Sequence, residues 1–563
     1  LLYRCSPMLL LLLALLTPLY ASLAHSTDLL GGHAIEWSVL SEDDAGDVYA
    51  SLGDHLLLTL HLNFSTGWFG FGIGEPASGS MPGADMLIVE VDGGVADGVD
   101  AVTISDRWTD AFAQPVPDDC PDWHLVQAEQ VVGNDGRVTT TVVTVRRSLD
   151  TGDDQDRVIR RGERERVLYA WGDSATLGYH GADARALTTI DFAGTIEDRL
   201  SAIKADPNMT VIDLFNDHVL TAKETDYVWA AHPLYPNVLE AGVKYHIVAV
   251  EHLVQEDMRA HVHHFVSHLS NADYSQTMVF HVWAGGVPAL VVPDACGFPV
   301  SQDVLNTILV QTHYDNSINE NVGSTDRSGI RVYLSRELRE HDCGVMQLGD
   351  PNVRLGGQTL DAGTVRSDFA CPGSCVKHDF TIFASFLHMH SFGTRMWTEH
   401  VRDGVSLGLL DEVDFWDEDL QSFKQMSLDV HANDELLTSC IHESDGTVRW
   451  GQASSEEMCI HFVSYYPFHK SLGYCGVEDC GSLTNTTILL DDRPVFGTAH
   501  PDHPCGTPVT SMPFPWGEPA GEGEGDQDDG DDDEPGDGAF VDDDSSGNPV
   551  APASMLVFAW GAH

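Results

Sequence analysis

At 563 residues the chain exceeds what one hydrophobic core supports, and at roughly 100–200 residues per domain three or four domains are expected. A composition 42% hydrophobic with twelve Trp marks a folded chain, not a disordered one. The 29 Lys+Arg against 87 Asp+Glu leave a net charge of −58, which repels phosphate backbones and anionic headgroups and excludes nucleic acid as a partner. Fourteen of the acids fall in 518–544, but the rest of the chain still carries 44 excess negatives, so the acidity is global.

Residues 1–24 read as a secretory signal, with Arg4 in a short basic start, Met8 to Leu16 as the apolar core, a break at Pro18 and Ala21-Ser-Leu-Ala24 as a small-residue cleavage site. The expectation is a secreted chain or one resident in the lumen of the secretory pathway. Removing Cys5 leaves ten cysteines, an even number, so a disulfide framework is expected in that oxidising compartment. Sequons at Asn63, Asn208 and Asn485 accord with this route.

From 33 to 192 the pattern is strand-like. His55 to Phe64 and Val138 to Val145 are β-branched and apolar runs bounded by Gly, Asp and Asn, and they predict a first β-sandwich. A connector without clear periodicity is expected over 193–223. Strand-like runs resume at Tyr245–His252, Leu305–His313, Ile330–Leu334 and Phe380–Leu387, and two further sandwiches fit, at 224–345 and 346–505. Few segments hold a 3.6-residue stripe, so the fold class is all-β. The stretch 506–563 is expected to be an acidic disordered tail. Its apolar end, Ala551 to Trp560, is shorter than the ~20 residues a membrane helix needs and reads as a truncated anchor or a sticky end.

Chemistry concentrates in the histidines. Three groups stand out among 28: His261-Val-His263-His264, His313 in Gln-Thr-His-Tyr, and His388-Met-His390. Side chains at i and i+2 of a strand share a face, so His388 and His390 can grip one ion without special backbone. Adjacent His263 and His264 point apart in a regular strand, and joint ligation requires a twist or bulge there, plus a ligand from elsewhere. Imidazole suits zinc, copper, iron and nickel, whereas a thioether leans the choice to Cu(I), and Met458 in Glu456-Glu-Met-Cys459 is a candidate. Each of these His taken singly is more often a structural side chain than a ligand, and only the joint pattern carries weight.

Seven collinear motifs between Thr225 and Cys475 resemble the copper type II ascorbate-dependent monooxygenases, in the dopamine β-monooxygenase-like branch. They are Val262-His-His264, Val310-Gln-Thr-His-Tyr-Asp-Asn316, Ser328-Gly-Ile-Arg-Val-Tyr333, Gly344-Val-Met-Gln-Leu-Gly349, Ile382-Phe-Ala-Ser-Phe-Leu-His-Met-His390, Leu437-Thr-Ser-Cys440 and Glu456-Glu-Met-Cys459. The resemblance implies two jelly-roll-like catalytic sandwiches and two copper ions per chain. His263, His264 and His313 would hold an electron-transfer copper; His388, His390 and Met458 would hold the copper at which O2 and the substrate react, with ascorbate as reductant. It also implies bridges Cys440–Cys459 and Cys371–Cys475, with Cys375 seeking Cys480 or Cys505. Upstream, Gly67-Trp-Phe-Gly-Phe-Gly72, Ser80-Met-Pro-Gly-Ala-Asp85 and Asp122-Trp-His-Leu125 resemble a DOMON domain. In DOMON modules that carry haem a Met and a His ligate the iron, and Met81 and His180 stand at such positions, although modules fused to a copper pair resemble non-haem interaction domains.

Two departures from the family pattern bear on the reading. Tyr227-Val-Trp229 and Val266-Ser-His268 lack expected cysteines, which leaves Cys296 alone in the first catalytic sandwich and Cys120 and Cys343 without assignment. Where the peptide-amidating branch places an Arg, an Asn and a Tyr to hold a peptide carboxylate, this chain has Phe386, Ile460 and Phe462, and Val266 stands where the amine-hydroxylating branch tends to place an acid. The expected enzyme therefore hydroxylates an activated carbon, such as a benzylic one, of a small aromatic or amine substrate. The competing readings are a non-catalytic copper- or haem-binding protein and a peptide α-hydroxylase.

Overall fold

The structure is a computed structural model that describes residues 25–483, apart from 41–53, 93–100, 133–137, 285–288, 317–319 and a few shorter interruptions, together with Val495 and Gly497. The signal segment, Asn485, Cys505 and the acidic tail lie outside the described residues. Among the described residues there are three β-sandwiches and one α-helix, and no helix is long and apolar enough to cross a membrane.

The first sandwich pairs a five-stranded sheet, built around His55–Leu62 and Val138–Ser148, with a six-stranded sheet centred on Gly67–Ile73 and Ala84–Val91. Alternation along His55–Leu62 sends Leu56, Leu58, Leu60 and Leu62 inward, where they meet Phe69, Phe71, Leu87 and Val89 of the facing sheet. Off this core lies a buried carboxylate group. Arg147 is fully buried and bonds to Asp85, with Asp156 3.9 Å from its Nε, while Asp106 accepts from the backbone N–H of Asp122 at 2.7 Å and of Trp123 at 3.1 Å.

The stretch expected to be a connector is structured. Thr195–Ala205 forms the helix, whose Ile196, Leu200 and Ile203 pack on Val248 and Tyr333, and Thr210–Phe215 pairs in register with Gly329–Ser335 as an edge strand of the second sandwich. The apolar residues of the helix recur at i, i+4 and i+7, too few for the periodicity to stand out in so short a segment.

In the second sandwich a sheet containing Tyr245–Leu253 and Gly329–Ser335 faces a four-stranded sheet ordered Thr225–Pro233, Thr307–Asp315, Val262–Ser270, Thr277–Ala284. In the third, Lys424–Val430, Phe380–His388, Ile460–Tyr466, Gly344–Gly349 and Tyr474–Gly476 face a sheet made of Val405–Val413, Gly393–Arg402, Glu435–Ser444, Gly363–Cys371 and Ser482–Leu483. One apolar core runs through the second sandwich into Phe383, Ala384, Phe386 and Phe423 of the third, so the two pack without a polar seam along that side. The first sandwich is tied in as well: Arg164 donates to the Ala289 carbonyl at 2.7 Å, and Ala77 sits in a core cluster with Met389, Met396 and Trp450.

Disulfides join Cys371 to Cys475, Cys375 to Cys480 and Cys440 to Cys459. Cys343 pairs with Cys296, which corrects the expectation that Cys296 stands alone: the strands Cys296–Val300 and His341–Asp342 run side by side, bringing together two residues 47 apart in sequence.

Candidate metal centres

The first cluster forms where two neighbouring strands of the four-stranded sheet carry histidine at matched register. His264 lies opposite His313, and the pairing slips between Val262 and His264, so His263 is the extra residue of a bulge. That irregularity turns His263 to the same side as its neighbour. The three Nδ1 atoms converge, 3.3 Å from His263 to His264, 3.2 Å from His263 to His313 and 3.4 Å from His313 to His264. An ion at the centre of such a triangle would be about 1.9 Å from each nitrogen, a side divided by √3, close to the ~2.0 Å of a metal–imidazole bond. Burial and the neighbouring imidazoles hold His264 well below the ordinary imidazole pKa and His313 down at about 3, so both stay neutral and able to ligate. The Tyr227 ring stacks on His313 at 4.5 Å and its hydroxyl donates to the Gln452 carbonyl of the third sandwich at 3.0 Å. Nothing in the sequence singled out Tyr227 except as an absent cysteine.

The second cluster lies at the end of Phe380–His388. His388 closes the strand, His390 follows just beyond it, and their rings meet edge to face at 5.2 Å. Each ring is oriented through Nδ1. His388 Nδ1 is 2.8 Å from Gln421 Oε1, and His390 Nδ1 is 2.9 Å from the Glu456 carbonyl, both acceptors. Gln421 gives its amide N–H to the Glu418 carbonyl at 2.8 Å, which leaves only its oxygen for His388. Both imidazoles therefore carry their proton on Nδ1 and keep the Nε2 lone pair for an ion, the usual way a second layer of bonds fixes a ligand. Burial depresses the pKa of His388 to about 3 and lowers that of His390, so this pair is neutral too.

Met458 is half-buried, immediately before Cys459, whose bridge to Cys440 limits how far it can drift. Its backbone is fixed by Glu457. That fully buried carboxylate accepts from the N–H of His390 at 2.7 Å, of Met458 at 2.7 Å and of Phe392 at 3.1 Å, so it ties the two segments of the second cluster together. Burial pushes Glu457 up to about 7 against the pull of those three bonds. The clue was its place in Glu456-Glu-Met-Cys459; Gln421 and Trp416, whose indole N–H donates to the His390 carbonyl at 3.0 Å, carried none.

The two clusters adjoin, with His264 and His388 ring centroids 6.5 Å apart. Beside the second, Phe386 packs with Phe423 at 5.0 Å and with Phe462 at 6.1 Å, and lies 6.4 Å from His388. Ile460 and Phe462 lie on the adjacent strand Ile460–Tyr466, where Ile460 is opposite His388 and Phe462 opposite Phe386. In the first sandwich Met81 is half-buried against Ala84, Met86 and Ile88, and His180 Nδ1 is 2.6 Å from the Gly181 carbonyl.

Two neighbouring imidazole clusters on a β-rich frame, one with three converging nitrogens, are an arrangement able to hold metal ions. Residues 341–488 match the C-terminal domain of the copper type II ascorbate-dependent monooxygenases, and residues 51–172 match the DOMON domain. The likeness to that monooxygenase family thus lies in 341–488, with the DOMON-like stretch ahead of it in the chain. Among relatives it is 24% identical to a tyramine β-hydroxylase of Caenorhabditis briggsae over 63% of this chain, an alignment covering 65%, just under two thirds, of that protein. It is 24% identical to dopamine β-hydroxylase of Rattus norvegicus over 79% of this chain and 74% of that protein, and 25% identical to DBH-like monooxygenase protein 1 of Homo sapiens over 80% and 74%. A solved cytochrome b domain of pyranose dehydrogenase from Coprinopsis cinerea aligns at 18% identity and TM-score 0.22 over 29% of this chain and 78% of that domain, a likeness too slight to argue for haem.

Proposed function

We propose that this chain is a two-copper hydroxylase of the secretory pathway that inserts one oxygen atom into an activated C–H bond, benzylic in kind, of a small aromatic or amine substrate. The observation that carries the reading is the pair of adjoining imidazole clusters, one offering three convergent Nδ1 atoms and the other two oriented Nε2 atoms. His263, His264 and His313 would hold one copper, and His388, His390 and the Met458 thioether the other. Bound copper supplies one-electron cycling between Cu(I) and Cu(II) and the activation of O2, with two electrons from ascorbate and the second oxygen atom released as water.

The chain's own groups shape that chemistry. Gln421 and the Glu456 carbonyl keep His388 and His390 in one tautomer, and the softer sulfur of Met458 biases its site to the reduced ion. The contact of His264 with His388 gives electrons a short path between the clusters. Phe386, Phe423 and Phe462 pack into an apolar wall beside His388, a surface on which the ring of an aromatic substrate would pack. Phe386, Ile460 and Phe462 supply no cation for a carboxylate, so a peptide C-terminus gains no charge-assisted bond from these three positions. The disulfides at Cys296–Cys343, Cys371–Cys475, Cys375–Cys480 and Cys440–Cys459 accord with an oxidising lumen.

The test is ascorbate-dependent O2 consumption with a panel of 2-arylethylamines and, in parallel, a glycine-extended peptide. Turnover of an arylethylamine with a hydroxylated product supports the reading; turnover of the peptide alone would refute it.

A further inference from the structure

The first sandwich does more than sit beside the catalytic pair, because its surface is shaped around a segment that bonds to both histidines of the second cluster. Residues 414–421 cross from the strand Val405–Val413 towards Lys424–Val430. From this strap Trp416 donates to the His390 carbonyl at 3.0 Å and Gln421 accepts from His388 Nδ1 at 2.8 Å.

Its other side rests on DOMON residues. The Glu75 carboxylate, fully buried, accepts from the backbone N–H of Asp414 at 2.6 Å and of Phe415 at 2.9 Å. At the far end Arg166, also fully buried, donates through Nη2 to the Leu420 carbonyl and, at 3.0 Å, to the Gln421 carbonyl. Two glycines at positive φ make the fit possible. A Cβ on Gly83 would come within 2.5 Å of Phe415 Cδ2, and one on Gly79 within 2.6 Å of Arg166 Cγ. A buried arginine that donates to two consecutive carbonyls, with the Asp417 carboxylate of the same strap favouring its charge, holds that stretch of backbone, which carries the Gln421 side chain.

We propose that Arg166 and Glu75 are positioning residues of the second metal site: the DOMON domain holds the strap, and the strap sets the orientation of the His388 ring through Gln421 and holds the backbone of His390 through Trp416. The inference rests on the assignment of His388 and His390 as copper ligands. It makes the DOMON domain part of the catalytic machinery without contact to the metal or the substrate.

The experiment uses the full chain carrying His263→Ala and His264→Ala, so that a single site remains, and measures cuprous ion affinity by competition with bicinchoninate. Gln421→Leu should weaken binding by about 10–100-fold, as loss of a bond orienting a ligand does. Arg166→Met should weaken it by about tenfold, Arg166→Lys should recover much of the loss, and Arg166→Met combined with Gln421→Leu should be no weaker than Gln421→Leu alone within about twofold. Arg161→Ala, on an exposed DOMON side chain paired with Asp54, should leave the affinity unchanged. If Arg166→Met does not fold, Glu75→Gln, which keeps one acceptor oxygen, carries the same prediction with a smaller loss. In the otherwise unmodified chain the first site should keep its copper in every folded variant. No copper in the His263→Ala/His264→Ala chain would refute the ligand assignment itself. Copper bound there with equal affinity in Arg166→Met, or additive losses in the double variant, would overturn the positioning role alone.

Discussion

Replacing Glu457 by Gln changes one oxygen for an NH2 group at the point where the two segments of the second cluster meet. In the native chain Oε1 accepts from His390 and Met458, both at 2.7 Å, and Oε2 accepts from Phe392 at 3.1 Å. A glutamine can keep its single oxygen towards His390 and Met458, but its amide then confronts the Phe392 N–H, donor against donor, in a site with no solvent. A buried group left without a partner costs about 1–3 kcal/mol, and the bonds kept are weakened where they were charge-assisted, so a loss of about 2 kcal/mol is expected. For a domain of this size that corresponds to a Tm lower by about 4–8 °C in calorimetry. Because His390 and Met458 both move with the clamp, copper retention at the second site should fall by about tenfold in the same protein. An unchanged Tm together with unchanged copper affinity would refute the idea that Glu457 holds these segments together.

Opening the Cys440–Cys459 bridge by Cys440→Ser and Cys459→Ser removes a cross-link over a separation of 19 residues, and chemical denaturation should show about 3 kcal/mol less stability; a change below about 1 kcal/mol would contradict the role given to it. The first sandwich should lose stability as pH rises from 5 to 8. Burial raises Asp85, Asp118 and Glu165 to about 7 and Asp106 to about 8, so across this window the folded form keeps protons that the unfolded chain has already shed, and each rise in pH favours unfolding. Calorimetry of the chain across that range checks the sign, and a DOMON transition that stays flat or climbs with pH would contradict it.

Much of this architecture was legible in the residues. The runs read as strands at Tyr245–His252 and Phe380–Leu387 appear as Tyr245–Leu253 and Phe380–His388, because alternating or continuous β-branched and aromatic residues bounded by turn formers admit few other structures. The bulge at His263 followed from asking how two adjacent side chains could face one way. What stayed hidden depends on contacts distant in sequence. Gln421 and Trp416 are ordinary residues until the strap folds over His388 and His390, and Arg166 lies 255 residues from the carbonyl it fixes. The partner of Cys296 was missed because parallel pairing of two short strands leaves no local signature. The 6.5 Å approach of His264 to His388 is a product of how the second and third sandwiches pack, which no motif encodes.

The most direct test of the account is copper bound per chain, measured by mass spectrometry of metal content after loading and desalting, in the native protein and in His390→Ala. Two coppers in the native chain, one in His390→Ala, and ascorbate-dependent hydroxylation lost only in the variant are the predicted result. A native chain that retains one copper or none, or a His390→Ala variant that still turns over substrate, would contradict it.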